Sequence, residues 1–165
     1  PSLTSQVFLD FIINSFNESG VSLNKVCFEI TETTAISSLK EAASFISVLK
    51  QEGGRFAVDD FGTGSSSFAY LKHLDVDYLK IDAMFIKDIV NDPFDRAMVK
   101  SINEMGHVMG MQTIAEFVES GEIRDVLSDI GVNFAQGYFF GKPVPLCQLP
   151  RSVITDCTLT GSVGN

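Results

Sequence analysis

Short apolar segments alternate with longer amphipathic ones along the chain, and this order restricts the folds open to it. Segments with the length and composition of strands occur five times, at Val26–Ile30, Arg55–Asp59, Tyr78–Ile81, Gln112–Val118 and Phe134–Phe139. Apolar residues at helical spacing predict helices before and between them, at Phe8–Phe16, Leu39–Gln51, Phe68–Leu74, Pro93–Gly106 and Ser120–Gly131. Strands that alternate with helices are typical of a parallel sheet, so the sequence predicts an α/β fold.

Polar residues lie at or just beyond the C-terminal part of successive predicted strands. They are Glu29, Asp59 with Asp60, Lys80 with Asp82, Glu116 and Gln136. Two architectures compete: an open, doubly wound sheet collects ligand residues near one switch point, whereas a closed barrel brings all its strand ends to one rim. Because five strands in a row contribute polar groups, we favour a barrel of the TIM type. The 165 residues are fewer than the ~250 of a full barrel.

Composition and charge restrict the classes of function. A net charge of −9 is unfavourable for broad contact with DNA or RNA, which needs a surface rich in lysine and arginine. No run of about 18 apolar residues occurs, so the sequence predicts no membrane insertion. Three cysteines without Cys-x-x-Cys spacing indicate reduced thiols and a cytoplasmic location. The two histidines lack the spacing of a zinc site.

The carboxylates at the strand ends are candidate metal ligands. Asp59 and Asp60 follow an apolar strand, and adjacent carboxylates suit hard cations such as Mg²⁺ or Mn²⁺, including a metal pair. Taken alone, each candidate also has a simpler structural interpretation. The two aspartates could cap a turn or a helix, Glu29 and Glu32 could be acids at a helix start, and Lys80 could be an ordinary strand-end lysine.

Two further polar residues lie in apolar surroundings. Glu116 follows the apolar run that ends at Ala115, and a buried strand rarely carries an unpaired carboxylate. Gln136 stands beside Gly137 and, taken alone, could satisfy backbone groups. The pattern indicates metal-assisted phosphoryl chemistry but does not identify a substrate.

Five segments resemble, in order and spacing, the signature motifs of EAL-domain cyclic di-GMP phosphodiesterases. The segments are Glu29-Ile30-Thr31-Glu32, Asp59-Asp60-Phe61-Gly62-Thr63-Gly64, Lys80-Ile81-Asp82, Ala115-Glu116-Phe117-Val118-Glu119 and Gln136-Gly137-Tyr138. The resemblance extends from about Pro1 to Leu146. Five motifs in register are very unusual by chance, so this signal is strong.

The resemblance implies a TIM-like (β/α) barrel of the EAL type that hydrolyses cyclic di-GMP to linear pGpG with two Mg²⁺ or Mn²⁺ ions. By this resemblance, Glu29, Asp59 and Asp60 are metal ligands. Lys80 and Glu116 are the catalytic residues that hold and activate the attacking water, with Glu116 as the general base. The supporting residues implied are Gln136 near the metal and water, Glu32 fixing the loop that begins at Asp60, and Asp82 and Glu119 near the site.

The sequence departs from the family pattern at its N-terminus. The Glu-Ala-Leu motif and an Asn motif that supply metal ligands lie upstream of Pro1, so we expect a barrel that is N-terminally incomplete in this chain. Residues 1–148 then form the larger, C-terminal part of the EAL domain, and residues 149–165 form a loosely ordered tail. We expect the 165-residue chain to be impaired in catalysis relative to a longer parent.

Two other functions compete with the enzyme. One is a catalytically inactive receptor for cyclic di-GMP, and the other is an EAL scaffold that binds protein partners. The intact acidic residues favour the enzyme. The resemblance also makes a homodimer and an upstream GGDEF or sensory domain plausible partners, with a parent protein that could be anchored to a membrane upstream.

Overall fold

The computed structural model describes residues 5–62, 68–145 and 148. Its helices are α1 (Gln6–Ser19), α2 (Glu32–Ser37), α3 (Leu39–Gln51), α4 (Ala83–Ile86), α5 (Pro93–Val108) and α6 (Gly121–Ile130). Its strands are β1 (Cys27–Thr31), β2 (Arg55–Phe61), β3 (Tyr78–Ile81), β4 (Gln112–Ala115) and β5 (Phe134–Ala135), and short 3-10 helices occur at Leu23–Lys25 and Phe68–His73. Within this described part, each helix is too short or too polar to cross a membrane.

The strands are hydrogen-bonded in the order in which they occur in the sequence, β1-β2-β3-β4-β5. Strands β1 and β2 pair in parallel, with Cys27 opposite Arg55. Strands β4 and β5 also pair in parallel, with Ile114 opposite Phe134. The predicted α/β class with a parallel sheet is therefore confirmed.

The chain divides into two compact units, residues 1–79 and residues 80–165, and the division falls within β3. The first unit contains α1 to α3 with β1, β2 and the start of β3. The second unit contains the end of β3, α4 to α6, β4 and β5.

An aromatic cluster holds β1 and β2 against the helices in the first unit. The rings of Phe28 on β1 and Phe56 on β2 lie 5.3 Å apart, and Phe45 of α3 meets Phe56 edge-on at 6.1 Å. Phe56 is fully buried, which contributes about 1.5–3 kcal/mol to folding. This packing assigns one face of the β1–β2 pair to the core and leaves the other face for polar residues.

Helices α5 and α6 have clear sequence signals at their ends. The side chain of Asp92 accepts a hydrogen bond from the backbone of Phe94 at 2.7 Å, and Pro93 occupies the first turn of α5. Ser120 accepts from the backbone of Ile123 at the start of α6. Gly131 ends α6 with φ 87°, a conformation that favours glycine.

Two predicted strands are shorter than expected. Strand β4 ends at Ala115 rather than Val118, and Phe117, two residues further on, has φ 57° in the left-handed region. Strand β5 ends at Ala135 rather than Phe139, because the backbones of Phe140 and Gly141 both donate to the carbonyl of Gly137 and form a turn.

Other differences concern helices and the chain ends. Helices α2 and α4 were not predicted, and the predicted helix at Phe68–Leu74 is a 3-10 helix at Phe68–His73. Residues 63–67, which include the end of the second motif, and the predicted tail at residues 149–165 lie outside the described residues. The boundary at residue 148 stays a prediction.

Candidate active site

The first unit carries predicted metal ligands on one face of two paired strands. Thr31 lies opposite Asp59 in the register, and Glu29 lies two residues before Thr31 on the same strand. Side chains alternate between faces, so Glu29 and Asp59 share a face that is opposite to that of Phe28. Glu29 is exposed and Asp59 is half-buried.

Asp60 has a backbone conformation that is unusual in a strand. Its φ is 56°, in the left-handed region, and its N–H donates a hydrogen bond to Oδ1 of Asp59 at 3.0 Å. Aspartate tolerates this region better than most residues because its short polar side chain can bond locally. Two consecutive carboxylates are therefore presented at a point where the regular alternation of β2 is broken.

Glu32, a predicted supporting residue, is buried beside the end of β2. It is 3% exposed, and its Oε2 accepts a hydrogen bond from the backbone N–H of Gly62 at 3.0 Å. The hydroxyl of Tyr70 is also buried and has no hydrogen-bond partner among the described residues. Burial first, and the charge of Glu32 second, raise the pKa of Tyr70 well above its usual value.

The second unit brings together three predicted site residues. Nζ of Lys80 lies 2.8 Å from Oε1 of Glu116, and Nε2 of Gln136 donates to the same oxygen at 2.7 Å. Lys80 is 4% exposed and Gln136 is exposed. Two donors on one carboxylate oxygen favour its ionised form and restrict its orientation.

The backbone of the second unit places these three side chains. The N–H of Glu116 donates a hydrogen bond of 3.3 Å to the carbonyl of Ile81. Ile81 directly follows Lys80 on β3. The N–H of Gln136 donates to the carbonyl of Ala115 at 2.9 Å. Glu116 and Gln136 thus lie just beyond the ends of neighbouring parallel strands, as the sequence predicts.

Phe117 follows Glu116 and borders a cavity in the second unit. The ammonium of Lys87 lies 4.6 Å from the centre of its ring, and the ring is 40% exposed. The cavity has a volume of about 630 Å³ and its lining includes Phe117, Glu119, Gln136, Tyr138, Phe140 and Lys142. Lys142 lies 5.4 Å from the ring centre of Tyr138. The cavity therefore presents aromatic rings together with a cation.

The remaining predicted supporting residues have different positions. Asp82 accepts a hydrogen bond from the backbone of Met84 at 2.7 Å and caps α4. Glu119 is exposed and lines the cavity. These contacts leave the supporting roles of both residues as predictions.

Sequence reasoning missed polar residues that the structure buries. Tyr70 is one, and Asn103 and Thr113 are 3% and 0% exposed within a hydrogen-bond network. A signal for Asn103 exists, because it lies four residues after Val99 on the apolar face of α5. A polar residue at a core position needs hydrogen-bond partners, and those of Asn103 are Thr113 and the carbonyl of Ile130.

The chemistry of the donor set is consistent with a hard metal ion. Glu29, Asp59 and Asp60 offer oxygen donors alone, which Mg²⁺ and Mn²⁺ prefer, and two of the three share a strand face. The residues of the first unit therefore fit the predicted metal.

Comparisons with known proteins agree on one family. Residues 1–143 match the sequence profile of the EAL domain. Cyclic di-GMP phosphodiesterase PdeB of Shewanella oneidensis is 45% identical over 88% of this chain and 19% of its own length. Cyclic di-GMP phosphodiesterase PdeF of Escherichia coli is 41% identical over 74% of this chain and 16% of its own length. The chain thus spans about a fifth or less of these relatives.

A solved structure shows the same fold. The PaMucR phosphodiesterase in complex with c-di-GMP has a TM-score of 0.84 and 32% identity, over 90% of this chain and 60% of that one. The likeness confirms the expected EAL-type fold.

Proposed function

The chain belongs to the EAL domain family, and from this premise we propose that it is the catalytic part of a metal-dependent phosphodiesterase that hydrolyses cyclic di-GMP to linear pGpG. The observation that carries the proposal is the carboxylate of Glu116, which receives both Lys80 and Gln136 on one oxygen. A carboxylate held by two donors has a fixed orientation, as a general base needs. Two relatives that are named as cyclic di-GMP phosphodiesterases support the choice of substrate.

Glu29, Asp59 and Asp60 are the residues that we propose to hold the metal. When bound, two divalent ions supply neutralisation of the phosphodiester charge and a lower pKa for water. The left-handed conformation of Asp60 supports this role, because it presents a second carboxylate directly after Asp59. Glu32 supports them by accepting from Gly62, next to the short segment that follows Asp60.

Glu116 and Lys80 act on the water and the phosphate. Glu116 takes the proton as water attacks phosphorus, and the bond from phosphorus to the ribose 3′ oxygen breaks. The 3′ oxygen takes a proton from solvent water as it leaves as a hydroxyl, Glu116 returns its proton to solvent, and pGpG keeps the phosphate at its 5′ end. Lys80 donates hydrogen bonds to the water and to the developing negative charge. Gln136 fixes the rotamer of Glu116 through its amide.

The cavity of the second unit fits part of a nucleotide. Purine rings stack on aromatic side chains, and Phe117, Tyr138 and Phe140 line this cavity. Lys142 adds a positive charge near the ring of Tyr138, which suits a phosphate group. Glu119 lines the same cavity and can accept from base or ribose groups, and Asp82 holds the segment after Lys80 by capping α4.

The test is turnover of cyclic di-GMP with Mn²⁺ by the full-length protein, with pGpG measured by chromatography. We expect turnover that Asp59→Asn lowers by about 10²- to 10⁴-fold. The matched control is Asp129→Asn, the same change at an exposed residue of α6, which we expect to leave turnover intact.

If the folded protein binds cyclic di-GMP with Mn²⁺ but never cleaves it, the proposed phosphodiesterase activity is wrong and the protein is a receptor. A protein that binds no nucleotide would identify a scaffold. Three further proposals rest on resemblance alone: a homodimer, an upstream GGDEF or sensory domain, and a cytoplasmic location. Light scattering on the purified protein tests the first of these.

A further inference from the structure

Strand β5 is very short for a strand that positions Gln136. It has two residues, Phe134 and Ala135, and Gln136 follows it directly. A shift of the register by one residue would turn every side chain to the other face. Two strand residues alone specify a register weakly, so something else must fix β5 against β4.

Asn133 supplies that second constraint at the start of β5. Its Oδ1 accepts a hydrogen bond from the backbone N–H of Thr113 at 2.8 Å, and its own N–H donates to Oγ1 of Thr113 at 3.4 Å. The side chain of Asn133 therefore replaces a backbone carbonyl as the partner of the first residues of β4. This pairing extends the ladder by one position, in the same register as Ile114 with Phe134.

Neighbouring helices hold the pair in place. Oγ1 of Thr113 donates to Oδ1 of Asn103 on α5, and Nδ2 of Asn103 donates to the carbonyl of Ile130 at the end of α6 at 3.2 Å. Asn103 and Thr113 are almost completely buried. A buried network whose members are satisfied specifies one arrangement.

Thr113 and His107 together fix the orientation of the Asn133 side-chain amide. The N–H of Thr113 can only donate, so the atom of Asn133 that faces it is the oxygen. Nε2 of His107 lies 2.8 Å from the same oxygen and must therefore carry a proton. Two donors from different elements hold Asn133 in one rotamer.

The other end of the segment has no room for adjustment. A Cβ on Gly137 would lie 2.3 Å from the backbone N and O of Val118, so the two backbones are in close contact. The N–H of Val118 donates to the carbonyl of Gln136 at 3.0 Å. Gln136 is thus held between the Asn133 network before it and this contact after it.

We propose that Asn133 is a positioning residue for catalysis: it sets the register of β5 on β4 and thereby holds the Gln136 amide on Glu116. Asn133 acts through the strand, since Gln136 is three residues further along, about 10 Å in extended chain. The catalytic part rests on the proposed function, whereas the placement of Gln136 does not.

The placement is tested by NMR of the full-length protein with ¹⁵N-labelled glutamine. Gln136 is identified by the side-chain amide signal that Gln136→Ala removes. We expect Asn133→Ala to move this signal towards the shift of solvent-exposed glutamine amides. Asn133→Asp keeps the acceptor oxygen, so in this variant the Gln136 side-chain amide should keep its wild-type chemical shift. The matched control is Asn91→Ala, an exposed asparagine of the same unit, which should leave the signal unmoved. An unmoved signal in Asn133→Ala overturns the proposal whatever the activity.

The catalytic part is tested by a double-mutant cycle on cyclic di-GMP turnover. A misplacement of about 1 Å can lower a rate on the order of 100-fold, so we expect Asn133→Ala to lower kcat by about 10- to 100-fold with little change in KM. In the Gln136→Ala background the same change should have no further effect on kcat, although it still lowers the Tm. A purely structural role would give additive losses, and that result would overturn the catalytic part. Absence of turnover in the wild type contradicts the proposed function and leaves the NMR result to decide the placement.

Discussion

The ends of β2 and β4 use the same backbone device for different chemistry. At each end a carboxylate is followed by a residue in the left-handed region, Asp60 with φ 56° after Asp59 and Phe117 with φ 57° after Glu116. At the end of β2 the turning residue is itself a carboxylate. At the end of β4 it is an aromatic ring, and Glu116 receives an ammonium and an amide.

The difference agrees with the two roles that we propose for these carboxylates. Successive acidic groups with oxygen donors suit a cation, whereas a carboxylate fixed by Lys80 and Gln136 suits proton transfer. The backbone cost also differs, because aspartate tolerates positive φ and phenylalanine does not. Phe117 is thus a strained residue directly after the candidate base.

The largest expected effect separates the two ends by metal dependence. We expect Asp59→Asn and Glu116→Gln each to lower kcat by about 10²- to 10⁴-fold. Raising the Mn²⁺ concentration should partly restore Asp59→Asn and leave Glu116→Gln unchanged, because only the first residue is a proposed ligand. Turnover measured against Mn²⁺ concentration checks this. Equal rescue of both variants would remove the functional distinction.

The next effect concerns the close contact beside the end of β4. Gly137→Ala places a methyl group against the backbone of Val118, and we expect a loss of about 3 kcal/mol in the free energy of unfolding. Gly110→Ala is the matched control, since Gly110 has φ 80° but open space around it. Strain alone should cost that variant about 1 kcal/mol. Urea unfolding of both variants measures the difference, and equal losses would mean that the contact with Val118 relaxes.

A smaller effect tests whether the two left-handed residues are equally strained. The variant Phe117→Gly should be more stable to unfolding than Phe117→Ala by about 1 kcal/mol, because glycine and alanine differ mainly in their tolerance of positive φ. The same comparison at position 60 should give the same gap, because the two φ values agree within a degree. Thermal unfolding of the four variants provides the data. A stability difference between the glycine and alanine variants at only one of the two positions would show that the two left-handed residues are not equally strained.

The smallest effect concerns Tyr70, beside Glu32 in the first unit. Its pKa is raised by burial, so above pH ~10 the unfolded chain loses a proton that the folded chain keeps, and stability falls as pH rises. Tyr70→Phe removes this component and the buried hydroxyl, and we expect it to gain up to about 1 kcal/mol at neutral pH. Unfolding of both proteins at pH 7 and pH 10.5 measures this. A clear loss of stability in Tyr70→Phe would show that the hydroxyl is satisfied.

Much of the fold follows from periodicity, but local backbone turns do not. Leu39–Gln51 was predicted with its observed bounds, because helical apolar spacing and Gly53-Gly54 both indicate them. Helix α2 was missed because it is short and Thr33, Thr34 and Ile36 have low helix propensity, although the Thr31 cap and the acidic Glu32 in its first turn favour it.

The candidate site shows the same division. The motif residues Lys80, Glu116 and Gln136 were expected near strand ends, and the structure brings their side chains into contact. The Asn133 network was not predicted, because these hydrogen bonds join residues that are 27 and 20 positions apart, and the signal at Asn103 does not identify its partners. The positive φ of Phe117 has no sequence signal, since glycine or asparagine is the usual sign of that conformation.

The strand order has a consequence for how the chain folds. Each residue of β1 meets a partner 28 residues further along the chain, and Ile114 and Ala115 of β4 meet partners 20 residues further along. Loops of this size close quickly, and contacts of short sequence separation are associated with fast folding. A ribosome therefore releases each strand soon after the one with which it pairs, so the parallel ladder can grow during synthesis in the direction of translation.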